Sequence, residues 1–372
     1  MSSSQTFRAV LVRSCSLIAL LINACSGEQD TDSGSAPGDG PGGAAGGAGA
    51  PAVAGMAGAP AGRVDADGGD GGAAGAAGDP HVPDWCASLQ SGLNQGVIID
   101  DIERSFILTL PQGVDNEGPW PVVFNWHGLG DTATNMSGLL SGQVNRADFP
   151  FIAVTPEDTN FEVTAMGYTV AMDWDIFDAG DGNANREVRL FDEVLSCLDA
   201  RYGVDSARVH ALGFSIGSIV VDLLGIVRGD QLASIATYSG GYFSNPDNVA
   251  SLGLLQVVGI SWPQPSHDNA YPQLLLHGGD KDTWSPGMGL QVKFYEFAEN
   301  DAATLVQTGH DAIVCNHGMG HMAPPPGMPG SRLIDFFRDH PRGTTISPYR
   351  KRGLPANFAS YCELRASGGD DS

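Results

Sequence analysis

The stretch from 208 to 225, RVHALGFSIGSIVVDLLG, decides the fold. Its first half, RVHALGFS, is an apolar run of the kind that forms a buried strand, and GSIVVDLLGIVRG after it predicts a helix. Between the two lies the pentapeptide GFSIG (213–217), a G-x-S-x-G pattern. Glycine two positions either side of the serine lets the backbone turn sharply from strand to helix. We therefore predict that Ser215 is a nucleophile raised above the end of a sheet.

Strand and helix patterns alternate through the rest of the chain. Two strands with a turn between them are predicted in GVIIDDIERSFILTLP, where Pro111 ends the second. Further strands are predicted in PVVFNWHG, FPFIAVTPED, LASIATYSG, PQLLLHGG and a last one in DAIVC, and helices in REVRLFDEVLSCLDARYG, GLQVKFYEFAEN and finally SRLIDFFRDH. Such alternation predicts an α/β fold with a mostly parallel central sheet and helices on both faces. The length fits one folded domain over residues 81–372.

The N-terminal eighty residues have a different character. Residues 1–24 have the form of a signal peptide, with Arg8 and Arg13 ahead of a short apolar run. Cys25 then follows an alanine, as in a bacterial lipobox, so we predict that it is lipidated; ordinary cleavage and secretion is the alternative. Residues 25–80 are rich in Gly, Ala and Pro and predict a flexible tether. Both interpretations place the protein outside the cytosol.

The charge of the chain limits its partners. It has 372 residues with 19 Lys+Arg and 43 Asp+Glu, a net charge of −24. A protein that binds polyanions needs a basic face, so nucleic acid and anionic membranes are unsuitable partners. Contact with a membrane is expected only through the lipid anchor.

Four cysteines lie within the predicted domain: Cys86, Cys197, Cys315 and Cys362. An even number in an oxidising compartment predicts two disulfides, and the sequence leaves all three pairings open.

A second glycine-rich motif, WHGLGD (126–131), follows an earlier predicted strand. A loop in this place can direct the backbone N–H of Leu129 at an oxyanion, beside the N–H of Ile216 at the start of the helix after the serine. The alternative is a strand-to-helix turn without chemical function.

The carboxylate that orients a catalytic histidine is expected after a late strand, within HGGDKDTW (277–284). Two acids compete for this role. Asp282 is the choice because it follows a full turn out of the strand, and Asp280 fits a turn residue that bonds its own backbone.

The stretch VCNHGMGH (314–321) has to supply the base. His321 is the predicted base because the order Ser215, Asp282, His321 is the chain order that this kind of fold requires. His317 is the rival base. Cys315, His317 and His321 also have the spacing of metal ligands, but no fourth ligand is evident, so neither a metal nor another cofactor is expected.

These motifs resemble the polyhydroxybutyrate depolymerase / feruloyl esterase group of secreted α/β-hydrolases. The resemblance covers about residues 97–340 and rests on RSFILTLP, WHGLGD, VDSARVHALGFSIGS, YSGGYF, HGGDKDTWSP and GMGHMAPPPG. It implies an extracellular serine esterase without a metal cofactor, in which Ser215 is the nucleophile, Asp282 the orienting acid and His321 the base.

The expected reaction is therefore hydrolysis of a carboxylic ester, of polyester, feruloyl or acetyl-polysaccharide type. Two other functions remain open: a surface lipoprotein that keeps the fold and binds without catalysis, and a serine peptidase. Trp126, Trp174 and Trp284 are candidates for lining the substrate cleft, although tryptophans more often belong to the core.

Overall fold

The computed structural model describes residues 83–165, 168–176, 184–240, 262, 268–287, 290–366 and 368. The predicted signal peptide, Cys25 and the tether lie outside this part of the chain. Across the described residues, no helix combines the length and the apolar character needed to cross a membrane.

A mixed sheet forms the centre of the described region. Its nine described strands follow the order β1-β2-β4-β3-β7-β8-β9-β12-β13. The six from β4 to β12 in that order run parallel, and β1, β2 and β13 pair antiparallel at the two edges. The strands are β1 (Gly92–Ile99), β2 (Ile102–Thr109), β3 (Trp120–Trp126), β4 (Ile152–Pro156), β7 (Val204–Phe214), β8 (Ser234–Tyr238), β9 (Gln273–His277), β12 (Ala312–Asn316) and β13 (Cys362–Arg365).

Helices and two small hairpins complete the described elements. The helices are α1 (Ala133–Ser141), α2 (Arg186–Tyr202), α3 (Ile216–Arg228), α4 (Phe294–Gln307), α5 (Gly330–Asp339) and the short α6 (Tyr349–Arg352). The hairpins pair β5 (Phe161–Ala165) with β6 (Tyr168–Met172), and β10 (Thr283–Gly287) with β11 (Leu290–Lys293). Short 3₁₀ turns occur at Asp84–Ser88 and Gly279–Lys281.

Both faces of the sheet are covered, as alternation along β3 shows. Phe124 and Trp126 pack with α2 and α3 in one apolar cluster, and Val123 packs with α1 and α5 in another. Successive side chains of a strand point to opposite faces, so a strand buried on both sides is apolar at every position. The predicted α/β class and mostly parallel sheet are confirmed.

Three details of the predicted elements are wrong. GLQVKFYEFAEN is not one helix: Leu290–Lys293 is a strand, with Val292 opposite Trp284, and α4 begins only at Phe294. DAIVC is not the last strand, because Cys362–Arg365 follows it and pairs with it antiparallel at the edge of the sheet. SRLIDFFRDH is not the last helix, because α6 follows it. Short elements such as these depend on tertiary pairing more than on local pattern.

The four cysteines form disulfides, as predicted, with the pairs Cys86–Cys197 and Cys315–Cys362. The first joins the start of the described chain to α2. The second joins β12 to β13 at directly opposed positions.

Candidate active site

The predicted site segments meet at one edge of the sheet. The loops after β3, β7, β8, β9 and β12 all leave the carboxyl ends of neighbouring parallel strands. Ligands of open α/β sheets bind at this edge, because the loops there converge. Residues far apart in sequence are therefore brought together.

Ser215 occupies the turn between β7 and α3 with φ 55° and ψ −121°. Positive φ is rare for a residue with a side chain and is typical of strained functional turns. A side chain at Gly217 would overlap the carbonyl oxygens of Trp126 and His127, so only glycine lets α3 approach the end of β3. Ser215 is 9% exposed.

Asp282 and His321 form a close pair. His321 Nδ1 lies 2.8 Å from Asp282 Oδ1, and the Asp282 side chain is fully buried. The second carboxylate oxygen accepts hydrogen bonds from Ser239 Oγ at 2.8 Å and from the Gly278 N–H at 2.9 Å. Burial acts to raise the pKa of Asp282, but these hydrogen bonds outweigh it and the pKa is lowered. The carboxylate is thus held ionised.

The competing acid has a different environment. Asp280 is exposed in the 3₁₀ turn that precedes Asp282, and it is Asp282 that faces the histidine.

Glycines bring the acid loop and the histidine loop into contact. Gly320 N–H donates to Gly278 O at 3.2 Å, and a side chain on Gly278 would overlap the Gly320 backbone. The His321 ring is stacked on Phe294, with centroids 4.4 Å apart, and lies 4.9 Å from the ring of Phe214. Because Phe214 precedes Ser215, this contact brings the histidine beside the serine.

No hydrogen bond joins the Ser215 hydroxyl to the His321 ring, although the structure describes both residues. Catalytic hydrogen bonds are often long without substrate and tighten in the reacting complex. His321 is thus held against Asp282, and its ring lies beside the serine turn.

The remaining residues of VCNHGMGH have other partners. His317 is buried, and its Nδ1 accepts the Met319 N–H at 3.2 Å. The Cys315 sulfur is bonded to Cys362 and cannot act as a thiolate ligand. Within the described residues, no group of three or more His, Cys, Asp or Glu side chains is placed to hold a metal. The Cys315–Cys362 disulfide braces the stretch where it leaves β12.

The segment 127–131, here called the β3 loop, packs on the serine turn. A side chain at Gly128 would meet the Phe214 ring at 2.8 Å and Ser215 Cβ at 3.4 Å. Leu129 follows immediately, and Ile216 begins α3, where the first N–H groups have no acceptor within the helix. Ile216 therefore directly follows Ser215, and Leu129 directly follows a glycine that packs on Ser215.

Sequence reasoning missed several residues of the site. Ser239, at the end of β8, has φ 47° and bonds Asp282. Phe294 stacks on His321, and Asp173 accepts the Gly130 N–H at 2.6 Å. Ser239 could have been sought in the motif YSGG, which directly follows a strand of the same sheet. Phe294 and Asp173 belong to no recognisable motif.

Two of the three tryptophans proposed for the cleft belong to the core. Trp126 and Trp174 are fully buried, and Trp284 is partly buried. A surface cavity of about 680 Å³ lies near the amino end of β7, away from Ser215, with Asp192 and Arg228 among its lining residues.

A serine turn after one parallel strand, an acid after a second and a histidine after a third are the arrangement of an α/β-hydrolase. Comparison with known proteins finds relatives that are named as esterases. Feruloyl esterase D of Neurospora crassa is 28% identical over 160 residues, and a probable feruloyl esterase C of Aspergillus terreus is 25% identical over 163 residues. These alignments cover 42% and 41% of this chain. The chain spans about half the length of these relatives, 52% and 53%. The predicted resemblance to feruloyl esterases is confirmed.

Two longer matches extend over most of the domain. Oxidized polyvinyl alcohol hydrolase of a Sphingopyxis species is 20% identical over 312 residues, which cover 73% of this chain and 84% of the relative. The native sOPH crystal structure superposes with a TM-score of 0.57 at 18% identity, covering 76% of this chain and 96% of that one. No family model matches the chain.

Proposed function

We propose that this protein is an exported serine hydrolase of carboxylic esters. The observation that carries the proposal is the pairing of His321 with a buried, ionised Asp282 beside a serine in a positive-φ turn. The esterase names of the matched relatives support the same reaction.

In the proposed mechanism, Ser215 Oγ attacks the ester carbonyl while His321 takes its proton, and Asp282 stabilises the imidazolium that forms. The oxyanion accepts hydrogen bonds from the N–H groups of Ile216 and Leu129. Collapse of this intermediate expels the alcohol, which receives the proton from His321. Water, deprotonated by His321, then attacks the acyl-enzyme, releases the acid and restores Ser215.

The proposed substrate is a feruloyl ester, a polyester or an acetylated polysaccharide, since the chain resembles enzymes named for feruloyl esters and for an oxidised synthetic polymer. The negative surface fits neutral or weakly polar esters, because an anionic polymer would be repelled. Two disulfides support the proposed export, and Cys25 would anchor the protein through its lipid.

The test combines labelling with turnover. Wild-type protein is expected to react with a fluorophosphonate and to hydrolyse p-nitrophenyl acyl esters, methyl ferulate, acetylated xylan or poly-3-hydroxybutyrate. Ser215→Ala should lose both properties. Ser234→Ala is a matched control, because this buried serine bonds His210 on the neighbouring strand and has no part in the proposed mechanism.

The outcomes separate the competing functions. Folded wild-type protein that resists the label and turns over none of these esters would instead be a binding protein. Ser215-dependent cleavage of a peptide amide at a rate comparable to that of its matched ester would assign peptidase activity, because an esterase without peptidase activity leaves the amide almost intact.

A further inference from the structure

The β3 loop is held by two consecutive residues that follow β6. Trp174 Nε1 donates to His127 O at 3.0 Å, and Asp173 Oδ2 accepts the Gly130 N–H at 2.6 Å. The first hydrogen bond holds His127, two positions before Leu129, and the second holds Gly130, one position after it. Neither bond uses the N–H of Leu129. The peptide that carries this N–H is therefore fixed from both sides.

The environment of Asp173 is unfavourable for a carboxylate. Its side chain is 7% exposed, and burial raises its pKa, while the Gly130 N–H and the nearby His127 lower it. Burial and the charge of Asp173 together raise the pKa of Asp158 to about 6, and Glu157 adds to this. A buried acid among other acids reduces stability unless it is well bonded, so its presence calls for a reason beyond folding.

Hydrogen bonds support the segment that carries Asp173. Asn185 Nδ2 donates to Asp175 O at 2.9 Å, and the Asp175 N–H points at Glu187 Oε1 at 3.4 Å. Glu187 in turn pairs with Arg104 at 2.7 Å, and both of these side chains are buried. The segment that carries Asp173 is thus tied to the start of α2 and to β2.

We propose that Asp173 is a positioning residue for ester hydrolysis, which fixes Gly130 so that the Leu129 N–H points at the developing oxyanion. The inference rests on the function proposed above. Preorganised donors are effective because they need not reorient during the reaction, so a loosened loop should slow the chemical step more than it weakens substrate binding.

The test compares Asp173→Ala with Asp173→Asn. Alanine removes the acceptor, whereas asparagine keeps an oxygen that can accept the Gly130 N–H. We expect kcat of Asp173→Ala to fall about 10-fold or more with KM nearly unchanged, since loss of a whole oxyanion donor costs about 10²–10³. Asparagine should restore most of the activity.

A second readout is specific to the oxyanion. Sulfur is a weaker hydrogen-bond acceptor than oxygen, so intact donors favour an ester over the matching thionoester, in which the carbonyl oxygen is replaced by sulfur. Asp173→Ala should reduce this preference. Asp335→Asn is the matched control, because this buried acid on α5 pairs with Arg146, and its loss should change thermal stability and leave the preference intact.

Each outcome has one meaning. If Asp173→Ala retains wild-type kcat and the wild-type ester preference, or if Asp173→Asn is as impaired as alanine, the positioning role is wrong while the esterase function stands. If wild-type protein has no Ser215-dependent esterase activity, the failure belongs to the proposed function.

Discussion

Ser239 Oγ donates a 2.8 Å hydrogen bond to Asp282 Oδ2, the carboxylate oxygen that His321 does not use. Ser239 is fully buried and has φ 47°, so its hydroxyl reaches the acid through a backbone conformation that side chains disfavour. The strained backbone of Ser239, directly after β8, thus helps to orient Asp282, which follows β9.

Substitution of Ser239 should separate these two effects. Both Ser239→Ala and Ser239→Gly remove the hydroxyl, so both should lower kcat by about 3- to 10-fold with little change in KM, a loss on the order of one hydrogen bond. Glycine accepts positive φ, so Ser239→Gly should be about 1 kcal/mol more stable than Ser239→Ala. Kinetics and chemical denaturation measure the two effects. Wild-type kcat in both variants would show that the hydroxyl does not support the acid.

The choice between the two acids can be tested by paired substitution. Asp282→Asn keeps the shape of the side chain but removes the charge that stabilises the imidazolium, so kcat should fall about 10⁴-fold. Asp280→Asn should leave kcat within about twofold, because Asp280 is exposed and does not face His321. A collapse of activity in Asp280→Asn alone would reverse the assignment.

The two histidines of the β12 loop should behave differently. His321→Ala should abolish turnover of p-nitrophenyl esters, since the proton of Ser215 would have no acceptor. His317→Gln should retain turnover and lose some thermal stability, because the His317 ring packs in the loop and accepts the Met319 N–H. If His317→Gln is the inactive variant, His321 is not the base.

The sequence reveals the parts of this site that neighbouring residues specify, and it does not reveal the parts that depend on contacts between distant segments. The serine turn is local: Gly213, Gly217 and the flanking apolar runs specify it within a few residues, and its context identifies the strand and the helix. The order of serine, acid and histidine along the chain then predicts Asp282 and His321 as the partners of Ser215. Asp173 could not be predicted, because its partner Gly130 lies 43 positions earlier and only the folded sheet brings the two together. Strand β11 was missed for a similar reason, since its pairing with β10 decides its conformation.

Two buried histidines should make the fold sensitive to acid. His210 and His340 are both fully buried, and burial is the main cause that lowers their pKa, to about 3 for His210 and about 4 for His340. Nearby charges of Arg208 and His340 lower the value for His210 further, whereas hydrogen bonding to Phe336 O partly opposes the shift in His340.

The sign of the pH effect follows from these values. Below the ordinary histidine pKa of 6.5, the unfolded chain binds protons at these two histidines and the folded protein does not. The free energy of unfolding therefore falls as the pH drops from about 6.5 towards 4. At pH 5 each histidine should contribute a loss of about 2 kcal/mol relative to pH 8. The raised pKa of Asp158 acts in the opposite direction, but this side chain is partly exposed and its effect is screened.

Chemical denaturation between pH 8 and pH 4.5 measures this dependence in wild type and in His210→Phe. The phenylalanine ring can keep the stacking on Phe337, whose centroid lies 4.7 Å from that of His210, and it cannot be protonated. Unfolding of the variant should therefore bind about one proton fewer than unfolding of wild type in this range, which makes its free energy of unfolding less dependent on pH. This difference in slope is expected whatever the stability of the variant at pH 8. An equal slope in the two proteins would mean that His210 is not held neutral by burial, since only the titration of this ring distinguishes the two pH profiles.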